Sequence, residues 1–151
     1  MASRLPLGTL IELASTTLDQ SARDLGDSNT RRDTVKQQLD MLHDYRQDYL
    51  EKLQTAMQTG LAAADCHNYQ RFINTLDDAI AQQKNLLQHA EQQLSACRER
   101  WQLAKRKLSS FETLQTREQR AQASIDARRE QRSNDEQSAR LFRHRGYAGA
   151  Y

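Results

Sequence analysis

The chain has 151 residues, is 37% hydrophobic and 28% charged, and carries a net charge of only +2, so it offers no large core and no overall nucleic-acid signature. One proline, at position 6, and five glycines leave little turn chemistry for a many-element globule. Such a composition, dominated by strong helix formers, points to an all-α protein built as coiled coil or long helix.

The start of the chain, residues 1–8, has one Arg and no long apolar stretch, which predicts no secretory signal. Helix 1 is predicted over about 7–58. Its first stripe is Leu10, Leu13, Ala14, Thr17, Leu18, Ser21 and Leu25. Propensity falls at residues 26–29 (Gly, Asp, Ser, Asn), where a softer but continuous helix is expected, with a short break as the alternative. The pattern then strengthens through Val35, Leu39, Leu42, Tyr45, Tyr49, Leu50, Leu53 and Met57.

A turn follows at about 59–66, with Gly60 suited to the left-handed residue after a helix end. Asp65 or Asn68 is the expected cap of the next helix, and the apolar residues 61–64 are expected to pack across the tip. Helix 2 is predicted over about 67–140, about 110 Å of helix at 1.5 Å per residue. Its seam reads Ile73, Ile80, Leu87, Leu94, Trp101, Leu108 at one heptad position and Leu76, Gln83, Ala90, Cys97, Ala104, Phe111 at the other. A repeat of 3.5 sustained over more than five heptads is the pattern of a supercoiled helix with a partner. Past Phe111 the seam fades, with Gln115, Glu118 and Gln122 in its positions, and a flexible tail is expected at 146–151. Two helices and a short connection give one long antiparallel two-helix hairpin, tight in its middle and tip and looser at its paired ends.

Spacing singles out one surface. Gln38, Leu42, Tyr45 and Tyr49 on helix 1 repeat the spacings of Phe72, Leu76, Ala79 and Gln83 on helix 2. Folded about the turn, Gln38 and Gln83, Leu42 and Ala79, Tyr45 and Leu76, and Tyr49 and Phe72 come to equal heights. Tyr45, Tyr49 and Phe72 read as anchors for a protein partner, while Leu42 and Leu76 read equally as core. Residues 128–145 hold six Arg against Glu130, Asp135 and Glu136. That basic end reads as a solvated helix with pairs such as Arg132 with Asp135 or Glu136, as a weak nucleic-acid tail, or as a protein-docking end.

No catalytic constellation appears. The histidines are scattered, Cys66 and His67 are adjacent and so point apart on a helix, and Asp77 and Asp78 do not form a facing pair. There is no phosphate loop or nucleophile elbow, no cofactor or metal is expected, and the chain reads as a non-enzyme. Reduced thiols suit a cytoplasmic protein, and no apolar run approaches the roughly 20 residues of a membrane span.

The chain resembles the FliJ family of the bacterial flagellar type III export apparatus. The resemblance rests on the hairpin size, the glycine turn near 60, residues 38–49 (QLDMLHDYRQDY) and residues 68–80 (NYQRFINTLDDAI). It rests further on Trp101 with the Lys-rich turn after it, and on the Arg128, Gln131, Arg132, Asp135, Glu136 pattern. It implies a cytoplasmic stalk similar to the coiled coil of the rotary ATP synthase γ subunit. That stalk is peripheral to the inner membrane at the flagellar base and monomeric, and it serves motility as a regulator of the export ATPase. The implied partners are the ring of the export ATPase FliI, the export gate protein FlhA and export chaperones, with no nucleic acid. The gate-facing surface implied is Gln38, Leu42, Tyr45, Tyr49, Phe72, Leu76, Ala79 and Gln83, with Gln83 standing where the family can have His. The ATPase-facing end implied is Arg128, Arg129, Arg132, Asp135 and Glu136. The stalk of a virulence secretion system, a dimerising structural coiled coil and a nucleic-acid-binding coiled coil are the alternatives.

Overall fold

The structure, a computed structural model, describes residues 6–60 and 62–148, the last two in backbone only. It is all-α among those residues: α1 spans Leu7–Gln58 and α2 spans Ala63–Ala148. The chain divides into two compact units, Thr16–Lys105 and the described residues of Met1–Ser15 with Arg106–Tyr151.

In the Thr16–Lys105 unit the helices run antiparallel, as their cross-helix contacts fix. The partner of an α1 residue falls along α2 as the α1 number rises. Ser28 Oγ meets Cys97 Sγ at 3.1 Å, Gln38 accepts from Gln83 Nε2 at 3.0 Å, and Arg46 donates to Asp77 at 2.5 Å. The Tyr49 and Phe72 rings lie 4.3 Å apart between centroids. Two of the four pairs expected at equal height, Gln38 with Gln83 and Tyr49 with Phe72, are therefore in contact.

The α2 seam is present as read. Ile73, Leu76, Ile80, Ala90, Leu94, Cys97 and Ala104 are buried, while Gln83, Leu87 and Trp101 are half-buried. In α1 a covered stripe runs through Leu18, Ser21, Leu25, Ser28, Arg32, Val35, Leu39, Leu42, Arg46, Tyr49, Leu53 and Ala56 in alternating steps of three and four, with Asp24, Asn29 and Leu50 half-buried beside it. That is a heptad with polar residues in it. Arg32 and Arg46 lay their aliphatic stems along the groove and carry their charged ends out to Asp33 and Asp77. Gln83 fits its seam position by donating to the Val35 carbonyl at 3.1 Å as well as to Gln38.

In the other unit Ala14 is buried, and Leu7, Ile11, Leu108, Phe111 and Gln115 are half-buried. From 116 to 146 every residue is exposed: α2 has 86 residues against 52 in α1, so α1 runs short of residues to cover it, and the seam turns polar over the same stretch. Leu13 at 55% and Met57 at 61% exposure, with Thr17, lie off the buried stripe in which the sequence reading set them.

The weak stretch at 26–29 is unbroken helix. A helical Gly costs about 1 kcal/mol relative to Ala. Here the Thr30 hydroxyl donates to the Gly26 carbonyl at 3.1 Å, and the Ser28–Cys97 contact anchors the next turn. At the C-terminus of α1, Gly60 has φ +85° and its N–H reaches the Met57 carbonyl at 3.4 Å, a Schellman-type bond.

The start of α2 corrects the expectation. The helix begins at Ala63 rather than near 67, because the N–H groups of Asp65 and Cys66 both close onto the Ala62 carbonyl, at 3.1 and 3.2 Å. Alanines have the highest helix propensity, so the run that was read as turn is helical. Asp65 then sits inside the first turn, where its carboxylate meets the positive end of the helix dipole, and Asn68 is interior rather than a cap. Ala62, Ala63 and Ala64 are exposed instead of packed across the tip, and Leu61 lies outside the described residues. At the other end α2 runs past 140 to Ala148, with no proline to stop it; 149–151 of the expected tail lie outside the described residues.

Candidate protein-docking surface

Within Thr16–Lys105, two rows of side chains border the seam on one side. Arg31, Gln38 and Tyr45 recur every seven residues on α1, and Phe72, Ala79, Leu86 and Gln93 recur every seven on α2. Arg31 Nη1 donates to Gln93 Oε1 at 3.2 Å, which sets the two rows beside one another. Along them Tyr45 is 53% exposed, Phe72 42% and Leu86 54%, with Met41 on the next turn at 55%.

The eight residues singled out by spacing divide by depth. Leu76, 8% exposed, belongs to the core. Leu42, Tyr49, Ala79 and Gln83 are half-buried in or beside the seam, and Gln38, Tyr45 and Phe72 are exposed. Tyr49 is wedged, with Phe72 at 4.3 Å and Tyr69 at 6.1 Å between ring centroids, and the Lys52 ammonium lies 5.3 Å from its own ring centroid. Half-buried Tyr49 thus braces the exposed Phe72 ring against the paired helices. Leu86 and Met41 were missed by the mirror pairing. The seven-residue step from Phe72 through Ala79 to Leu86 was the signal that finds Leu86.

In the other unit, Arg128, Arg129, Arg132, Asp135 and Glu136 are all exposed on α2. They share about two turns of one helix, so they present charge together. Among the described residues Arg132 makes no ion pair with Asp135 or Glu136, contrary to the solvated-pair reading; exposed ion pairs gain too little to hold long side chains in one geometry. Among the described residues no three His, Cys, Asp or Glu side chains gather where a metal would sit. Cys66 and Cys97 are both free thiols, and Cys97 is buried against Ser28, with Arg100 Nη2 3.4 Å from its sulfur. No helix of the described residues is long and apolar enough to cross a membrane.

The family described as Flagellar FliJ protein matches residues 3–147. The chain belongs to the FliJ family. It is 35% identical over 136 residues to the flagellar FliJ protein of Salmonella typhi, covering 90% of this chain and 92% of that one. Against the flagellar FliJ protein of Escherichia coli strain K12 the identity is 33% over the same 136 residues, with the same coverage. As a FliJ protein the chain is a non-enzymatic component of the flagellar export apparatus, and both relatives carry a flagellar name rather than that of a virulence system.

Proposed function

We propose that this FliJ protein is a coiled-coil stalk, like that of the rotary ATP synthase γ subunit, that inserts in the ring of the export ATPase FliI. There it promotes ring assembly and hydrolysis. The patch of Gln38, Leu42, Tyr45, Tyr49, Phe72, Leu76, Ala79 and Gln83 docks the export gate protein FlhA, with Tyr45 and Phe72 as its outward anchors and Leu76 as its floor. Export chaperones are further partners. The protein acts as a monomer at the flagellar base, peripheral to the inner membrane through those partners.

The observation that carries the reading is that one family member has two unlike surfaces, one in each unit. Aromatic side chains are held on the paired helices of Thr16–Lys105, and a charged, exposed helix occupies 116–146. A helix covered in charge makes many modest contacts in a ring without locking to it. The test is ATP hydrolysis by FliI of the same organism, with and without the protein. Stimulation is expected, and reversing Arg128, Arg129 and Arg132 to Glu should remove it while the thermal melt stays unchanged. A competent ATPase that ignores the wild-type chain would overturn the stalk.

A further inference from the structure

Near the turn, Tyr49, Asp65, Asn68, Tyr69 and Phe72 line a concavity of about 500 Å³. Its walls are three aromatic rings, Tyr49 standing against both Tyr69 and Phe72, and its rim is a carboxylate and an amide whose side chains take no hydrogen bond or ion pair among the described residues. Tyr69 also borders a second hollow, lined by Asp48, Glu51 and Lys52. The surrounding charge is negative on balance. Residues 40–78 contain seven Asp and Glu against three Arg and Lys, a net −4 in a chain whose total is +2. The first amides of α2 alone would repel a cation, but Asp65 in that first turn reverses the local sign. The rings already attract one cation: Lys52 Nζ sits over Tyr49.

We propose that this concavity is a receptor for one arginine side chain from a basic segment of a protein partner. The guanidinium plane stacks on Tyr69 and Phe72 and forks to the Asp65 carboxylate, with Asn68 accepting a further N–H. Arginine suits the site better than lysine because it is planar, weakly hydrated and able to meet a carboxylate through two parallel bonds. Tyr69, Asp65 and Asn68 stand outside the eight-residue docking patch, so the site extends that patch toward the turn and gives its partner a required charge. The inference deepens the gate-docking reading and rests on it for the partner's identity.

Two measurements separate the failures. In the first, the full chain is titrated with N-acetyl-arginine amide while the ring resonances of Tyr49, Tyr69 and Phe72 are followed by NMR, with the neutral isostere N-acetyl-citrulline amide in parallel. Saturable shifts with arginine, at least about tenfold weaker with citrulline or in Asp65→Asn, are expected. Flat titrations, or equal response to both compounds, overturn the receptor. In the second, the cytoplasmic domain of the gate protein is bound to wild type and to Asp65→Asn. A loss of about tenfold supports the receptor, and equal binding by both overturns it while leaving gate docking standing. A gate domain that ignores wild type removes the docking reading, and the arginine titration then decides the receptor alone.

Discussion

Ile73 is the side chain on which the register can be tested most cleanly, because it is 2% exposed and sits at a seam position. Ile73→Ala removes three carbons. At about 0.8 kcal/mol for each buried methylene, the transfer loss is about 2.4 kcal/mol. Partial collapse of the neighbouring helix leaves a small residual cavity, which brings the total to about 3 kcal/mol, inside the usual range for such truncations. For a chain of this size each kcal/mol moves the midpoint by about 2–4 °C, so the melt should fall by about 6–12 °C. The assay is circular dichroism at 222 nm against temperature, with Leu103→Ala as the matched control. Leu103 is 62% exposed on the same helix, and its truncation should change stability by less than about 0.5 kcal/mol. Equal shifts for the two variants would refute the seam, whatever their size.

Leu94, 4% exposed, should not tolerate charge: Leu94→Asp should abolish the cooperative melt, since an unpaired carboxylate there has no partner. Gln83→Leu should raise the melting midpoint by a few degrees, because it makes the seam apolar and the bond to the Val35 carbonyl is additional to the helix's own; a lower midpoint would show that Gln83 holds the helices in register. Asp77→Asn should cost less than about 1 kcal/mol despite its short contact with Arg46, since both side chains keep more than a third of their surface in water; this is read from urea titration. Tyr45→Ala should leave the melt within about 2 °C yet weaken FlhA binding several-fold in calorimetry, a cleaner test than replacing Leu76, whose burial would confound the result.

The hairpin was legible because α2 writes its seam almost wholly in apolar residues. From Ile73 to Phe111 only Gln83 is polar, and the structure covers every position of that series. The seam of α1 follows the same steps of four and three but was harder to read, because Ser21, Ser28, Arg32 and Arg46 occupy it. An arginine that buries its stem and exposes its charge looks like surface in a hydropathy pattern. Apolar Leu13 and Met57 drew the eye to positions that face water. The equal-height pairing needed only the turn position, so Gln38–Gln83 and Tyr49–Phe72 were within reach. Depth was not, since spacing alone sets residues on a face without saying how far the neighbouring helix covers them. The onset of α2 was misjudged because turn chemistry was weighed above the helical preference of an alanine run.

The cross-helix contacts are graded in chain separation: Arg46 and Asp77 lie 31 residues apart, Gln38 and Gln83 45, Arg31 and Gln93 62, and Ser28 and Cys97 69. Each contact, once made, leaves only a short further loop to close before the next one, and loop-closure entropy rises slowly with length. Loop-closure entropy therefore favours assembly as a zipper from the Gly60 turn, with the Tyr49, Tyr69 and Phe72 rings among the contacts cheapest to close. On that order of events, substitutions among those rings should slow folding in stopped-flow kinetics, whereas substitutions at Ser28 or Cys97 should act mainly on the rate of unfolding. The aromatic rings of the proposed docking surface thus lie in the part of the paired helices with the shortest loops to close.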